Sequence, residues 1–297
     1  MKLSDYQREA AKTDQFPTQG SDGTGQPSKA ELIPLLGLTG EIGSLLSEYK
    51  KLLRDGPVHL RFKDRLAEEL GDTMWYVAAV ATKFGLSLDD IAAANLEKTA
   101  NRWLHPGERQ SYDLRREENE RLPTAFRYEF RYGARADGAP AVALVDERGR
   151  QIGDMLTDNS HEDDGYRFHD VMHFAFVAIL GWSPVARKIL DRKRRSTPRT
   201  NEVEDGGRAT VIDEAIVAMV FDYINHDLKA TDGMTRIDSE TLRGIRALTR
   251  GFEVQSRTES QWEEAILRGL EVWRLVEAND GGTVVGDFGT RTFMYAQ

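Results

Sequence analysis

The apolar positions fall into two regimes along the chain. Between Glu31 and Asp55 they recur at helical spacing: Leu32, Leu35, Leu36, Leu38, Ile42, Leu45, Leu46, Tyr49 and Leu52. Asp55-Gly56-Pro57 stops that helix. A second helix is predicted from Phe62 to Phe84, apolar at Leu66, Leu70, Met74, Val77, Ala78 and Ala81 and closed by Gly85. Ser87 then reads as the N-cap of a third, Leu88 to Trp103, which His105-Pro106-Gly107 ends. Upstream, the Gly-, Ser-, Thr-, Gln- and Pro-rich stretch 16–29 reads as a loop after a short N-terminal helix. Residues 108–122 are strongly charged and offer almost no core positions, which predicts a linker or exposed helix. Beyond it the period changes to two. Phe126 to Tyr132 alternates as a half-buried strand does, and Ala141 to Val145 with Gln151 to Leu156 predicts a small antiparallel hairpin. Helical patterns return at 166–180, 184–195, 210–228, 239–249 and 260–279, and 283–295 looks extended. The expectation is a mainly α chain with a helical bundle at 1–107, a charged linker at 108–122 and a mostly helical domain with a β-hairpin at 123–297.

Composition narrows the functional classes. The chain has 297 residues, 40% hydrophobic and 30% charged, which suits two packed domains rather than disorder. Charges interrupt every apolar run, and the first residues have no apolar core, so neither a membrane span nor a secretory signal is expected. With no cysteine, thiolate chemistry and disulfides are excluded. These features predict a soluble, cytoplasmic protein. The net charge of −9 disfavours binding to nucleic-acid backbones. It remains compatible with a polyphosphate substrate bridged to carboxylates by divalent cations.

Acidic residues on the first two long helices supply the candidate chemistry. Glu41 and Glu48 are seven apart and face nearly the same way, about 10 Å apart along the axis, with Ser44 between them. Glu69 and Asp72 are three apart and are neighbours on one helix surface. If the two helices pack through their apolar stripes, these acidic faces can converge. Converging carboxylates repel and are costly to desolvate, and hard dications relieve both costs. Magnesium prefers oxygen ligands and keeps waters, which suits a site that also receives phosphate, with manganese as the alternative ion. Gly40, Gly43 and Gly71 interrupt the helices at some cost, which predicts close packing near the proposed ligands.

The run Leu36 to Lys51 (LGLTGEIGSLLSEYKK) and the run Leu66 to Val77 (LAEELGDTMWYV) resemble the two metal-binding motifs of the MazG-like all-α nucleoside triphosphate pyrophosphohydrolases. Gly85 to Ile91, Asn95 to Lys98 and Asn101 to Trp103 resemble the helix that follows. The resemblance covers about the first 105 residues. It implies magnesium-dependent hydrolysis of a nucleoside triphosphate to the monophosphate and pyrophosphate, by a homodimer or larger homo-oligomer. The family pattern is ExxE followed by ExxD. Carried over, Glu41 is the first ligand and Glu69 and Asp72 are the second pair, while Ser44 stands where the pattern has glutamate. Glu48, about one turn on, is the candidate to supply the missing charge and orient the attacking water, and Glu69 is the other catalytic candidate. Lys51, Asn95, Lys98 and Arg102 are candidates for substrate contacts, against the alternative of solvated helix charges. A nucleotide-binding sensor with weakened turnover is the competing reading.

The second domain offers one further constellation. His169 and His173 are four apart on one predicted helix with Asp170 beside them, and Asp213 and Glu214 lie on a later one. Two histidines at that spacing with Glu214 could ligate a transition metal, although the HExxH pattern is absent. The run Phe174 to Leu180 favours instead a buried helix whose histidines are satisfied by hydrogen bonds. The basic run Arg192 to Arg195 reads as a solvated helix end.

Overall fold

The computed structural model describes residues 1–15, 29–103, 110–135, 138–157, 164–224 and 234–296. The chain divides into two compact units, Met1–Ala100 and Asn101–Gln297. Among the described residues it carries ten α-helices and five strands, a mainly α protein with one antiparallel sheet.

The first unit is all-α among its described residues. Helix α1 spans Leu3–Ala11, α2 Lys29–Asp55, α3 Phe62–Lys83 and α4 Leu88–Trp103, the last crossing the unit boundary. Gly56 takes φ of +62°, which releases the chain from α2 and lets α3 return antiparallel against it. The close approach of the pair depends on Gly37: a Cβ there would lie 2.2 Å from the Tyr76 ring. Helix α1 packs on α3, where Tyr6 and Ala10 cover Ala78, Ala81 and Leu88.

Two expectations for this unit need correction. Gly40, Gly43 and Gly71 do not mark close packing, because a Cβ at any of them would meet open space. The apolar stripes do not close a core either. Leu36, Leu46, Leu53, Leu70 and Leu96 are all at least half exposed.

The second unit is built around α5 (Asp170–Leu180), buried along its whole length. A helix apolar all round needs cover on every side. The sheet supplies one side: Phe126 and Phe130 of β1 (Ala125–Ala134) meet Phe174 of α5 at ring separations of 5.6 and 6.3 Å. Helix α10 (Glu259–Ala278) supplies another, and Gly269 permits the contact, since a Cβ there would press within 2.7 Å of the Met172 sulfur. Short α6 (Pro184–Ile189) and α7 (Pro198–Val203), then α8 (Gly207–Asp222) and α9 (Ser239–Leu248), complete the helices.

The expected hairpin, β2 (Pro140–Val145) and β3 (Gln151–Leu156), forms only one edge of a larger sheet. Strands β4 (Gly281–Asp287) and β5 (Thr292–Ala296) join it through β1, giving the order β3-β2-β1-β4-β5. The pairing of Phe130 with both Leu144 and Gly282 places β1 at the centre. Helix α6 stops at Ile189 rather than reaching residue 195, and Asp191 follows at φ of +51°. The turn brings Arg194 inward.

The expected linker is also corrected. Its described part, 110–122, folds into the second unit. Asp113 is buried, pairs with Arg187 at 2.7 Å through both oxygens, and accepts from the Leu122 amide at 2.8 Å. Leu122 belongs to the core, and Glu120 accepts from the Ser196 amide and hydroxyl. Asp113 and Glu120 are tolerated inside because each has hydrogen-bonding partners, while Arg115, Glu117, Glu118 and Arg121 of the same segment stay exposed.

Two clusters of candidate metal ligands

In the first unit, Glu41 of α2 and Glu69 and Asp72 of α3 converge: one carboxylate oxygen of each lies within 4.8 Å of the others. Glu41 and Glu69 are half-buried, and Asp72 is exposed. Burial raises the Glu69 carboxyl above its usual range, and the neighbouring Glu41, Asp72, Glu48 and Glu68 charges raise it further. Tyr6 of α1 is raised by burial and by the Asp72 carboxylate, so α1 reaches the same cluster. Three oxygen donors with an open side fit a hard dication that keeps part of its water shell.

Glu48 does not join them. It is buried, bonded to Lys51, with His59 Nε2 at 3.1 Å and Arg65 Nη1 at 3.8 Å. The Lys51 bond leads in holding its carboxyl below the usual range. Seven residues on a helix return to the same face only approximately, and Lys51, Arg65 and the His59 ring take up the offset side chain. Lys51, expected at phosphate, is therefore committed to Glu48. Asn95 and Lys98 are exposed on α4. Arg102 falls in the second unit, buried, donating to the Ile237 carbonyl at 2.9 Å and to Glu263 at 3.1 Å. Its charge is spent within that domain, which corrects its assignment to substrate.

In the second unit, His169, His173 and Glu214 offer three ligand atoms within 4.8 Å of one another. His169 occupies the position before the first residue of α5, His173 lies one turn on, and Glu214 belongs to α8. Glu214 Oε2 is 3.3 Å from His173 Nε2 and 3.6 Å from His169 Nε2. Asp170 Oδ1 is 3.4 Å from His169 Nε2. Asp213, adjacent to Glu214 on α8, turns to the other side of the His173 ring and meets Nδ1 at 2.9 Å. Its second oxygen accepts from the Ser183 hydroxyl at 2.6 Å and the Val185 amide at 3.1 Å. One buried carboxylate thus ties α5, the start of α6 and α8 together.

The family model described as the MazG C-terminal domain matches residues 107–297. The chain belongs to this MazG family. The match covers the part that sequence reasoning left without a function. The MazG relationship is therefore carried by the C-terminal part, not by the N-terminal third where the quoted motifs lie. A curated relative, the Gene 37 protein of Mycobacterium phage L5, is 41% identical over 69 residues, 23% of this chain and 60% of that protein. The chain thus spans about 60% of the length of the relative it matches. No solved structure matches.

Within the MazG C-terminal domain, burial alone would depress His173. The Asp213 carboxylate outweighs it, helped by Glu214 and Asp170, and the ring is raised to about 10. Burial would raise Glu214, but the hydrogen bond and charge of His173 reverse the sign and lower it. A small cavity of about 190 Å³ opens beside His169, Asp170 and Glu214, with Lys188 and Thr210 also in its wall. Sequence reasoning had placed Asp170 and Asp213 near the histidines but missed Lys188 and Ser183. The Ser183-Pro184 N-cap signal was available for the latter. In the first unit it missed Tyr6, His59 and Arg65, which lie outside the quoted motifs or carry no periodic signature. Among the described residues, no helix is long and apolar enough to cross a membrane.

Proposed function

We propose that the first unit hydrolyses a nucleoside triphosphate to the monophosphate and pyrophosphate with magnesium held by Glu41, Glu69 and Asp72. The convergence of these carboxylates from two helices carries the reading, because like charges so placed are costly until a dication joins them. The MazG family relationship of residues 107–297 adds support for nucleotide-related work. Bound magnesium would neutralise triphosphate charge and lower the pKa of an attacking water. The chain's own part is to hold the three oxygens in place through the Gly37–Tyr76 contact of α2 and α3 and to leave the approach open. The bare helix surface at Gly40, Gly43 and Gly71 supplies that opening. Glu69, at the centre of the repulsion, is the carboxylate on which binding depends most. Manganese, with the same preference for oxygen donors, is the alternative ion.

The exposed leucines of α2, α3 and α4 support a homodimer or larger homo-oligomer. Apolar surface on this scale is rarely left to water in a monomer. The test is pyrophosphate release by the full-length chain over a panel of canonical and modified nucleoside triphosphates with magnesium, on wild type and Glu69→Gln. Release by wild type and loss in the variant is the expected result. No release from any nucleotide overturns the reading, and tight binding without turnover replaces it with the sensor.

A further inference from the structure

We propose that the MazG C-terminal domain binds a divalent transition-metal ion of the zinc class through His169, His173 and Glu214, with open coordination positions facing a cavity that takes a small oxyanion.

The orientation of the two rings carries the argument. His169 Nδ1 lies 3.0 Å from the carbonyl oxygen of Tyr166. A carbonyl can only accept, so Nδ1 carries a proton, and Nε2 is the nitrogen left to face a ligand. His173 Nδ1 faces Asp213, whose other oxygen already accepts two hydrogen bonds. There too Nδ1 donates, and Nε2 is the nitrogen turned to the front. Each ring is thus fixed from behind by an oxygen acceptor, the arrangement that orients histidines toward metals.

In front, both Nε2 atoms face carboxylate oxygens. His173 Nε2 is 3.3 Å from Glu214 and 4.0 Å from Asp170, while His169 Nε2 is 3.6 Å from Glu214 and 3.4 Å from Asp170. His169, Asp170 and His173 are all buried, so these contacts need a positive partner between ring and carboxylate. Protons on Nε2 serve in the absence of an ion. A single cation among the three ligand atoms takes their place. The spacing suits it as well. Two ligands each about 2.0–2.1 Å from a tetrahedral ion lie about 3.3–3.4 Å apart, against the 3.3 and 3.6 Å from Glu214 to the two rings.

Imidazole nitrogen selects a borderline transition ion over magnesium. Three protein ligands with an open side are the pattern of a reactive rather than a closed structural site. The open side is the 190 Å³ cavity, smaller than the pockets that enclose drug-sized ligands. Lys188 lines it. A small anion would therefore meet two positive charges.

The experiment loads full-length protein with Co²⁺ or Zn²⁺ in excess Mg²⁺, on wild type, Glu69→Gln, His169→Gln and Glu214→Gln, followed by desalting and metal analysis. The expected result is about one transition ion per chain in wild type and in Glu69→Gln, with at least tenfold weaker retention in the other two. Wild-type Co²⁺ protein should show visible bands of a four- or five-coordinate ion, and X-ray absorption should count two imidazoles. The wild-type measurements stand even if a variant misfolds. No retention by wild type, a purely six-coordinate oxygen spectrum, or full retention in His169→Gln overturns the site. Inorganic phosphate should shift the cobalt bands, and unchanged bands overturn the oxyanion. Because Glu69→Gln is included, failure here is separable from failure of the magnesium site.

Discussion

Adjacent arginines in one basic run should differ sharply in what they contribute. Arg194 is fully buried. Its guanidinium donates to Asp205 at 2.7 Å and to both oxygens of Glu253 at 2.8 and 2.9 Å, and its own amide reaches Asp205 at 2.7 Å. Arg195 is 63% exposed and pairs with Asp191, itself 77% exposed. Replacing Arg194 by methionine keeps the apolar bulk and leaves Asp205, wholly buried, with Arg187 Nε at 3.6 Å as its nearest cation. Removing one partner of a buried pair costs about 3–5 kcal/mol. Domains of 150–250 residues lose about 2–4 °C of Tm per kcal/mol. Arg194→Met should therefore lower the Tm of the second unit by about 6–20 °C. Arg195→Met loses only a surface pair, about 0–1 kcal/mol, and should shift it by less than about 4 °C. Differential scanning calorimetry, with near-ultraviolet circular dichroism to follow tertiary packing, measures both. If the two variants melt within 2 °C of each other, the buried network does not hold this domain together and the reasoning fails.

Other outcomes follow from the same contacts. Glu69→Gln should abolish the rise in Tm that magnesium gives wild type, a rise equivalent to about 2.7 kcal/mol at one hundred times Kd; an equal rise in the variant refutes the cluster as ligand. Glu48→Gln should lower stability yet leave magnesium stoichiometry unchanged, because its partners are Lys51, His59 and Arg65; loss of the ion by titration calorimetry would return Glu48 to the ligand set. Gly71→Ala adds a Cβ into open space and removes a helix-interior glycine, so it should stabilise the first unit by about 1 kcal/mol in thermal melts at low protein concentration; a lower Tm means the space is filled. Glu120 is lowered by its bonds from Ser196, so its contribution is present above the ordinary value of 4.5 and is lost as pH falls through the depressed one. Glu120→Gln should flatten the acid limb of the stability curve, and an unchanged limb would show that this carboxylate is not linked to folding.

What could be read from the chain beforehand was local. Helices α3 and α4 lie within a residue of their expected bounds and α2 within about two, because periodicity, Gly56 and Ser87 are signals contained in a few adjacent residues. The pairing of β1 with β4 joins Phe130 to Gly282, and no local pattern announces a partner that distant. The hairpin was therefore legible and the five-stranded sheet was not. The same limit explains the charged segments. Arg194 and Asp113 look solvated in a linear reading, and only their placement beside Asp205 and Arg187 makes burial tolerable. Glu48 shows the limit of face arithmetic within one helix: it shares a side with Glu41, yet the cations around it decide its orientation. The exposed leucines are the reverse case, since a pattern specifies an apolar face without specifying what covers it.

Donor chemistry separates the two clusters more firmly than position does. Glu41, Glu69 and Asp72 present oxygen alone, from side chains partly open to water, and among the described residues no side-chain hydrogen bond fixes these carboxylates from behind. Such a set takes an ion that brings its own water shell and releases it readily. His169 and His173 present nitrogen from a buried helix start, each ring pinned by an acceptor on its far side, with Glu214 half-exposed across from them. That set is organised before an ion arrives and can hold it without many waters. The ions should therefore partition: magnesium to the first unit with fast exchange, a zinc-class ion to the MazG C-terminal domain with slow exchange. Exchange rate is a consequence of preorganisation, independent of what either site catalyses. If desalting strips both ions equally fast, the pinned histidines confer no more hold than three loose carboxylates, and the distinction drawn from their hydrogen bonds is void.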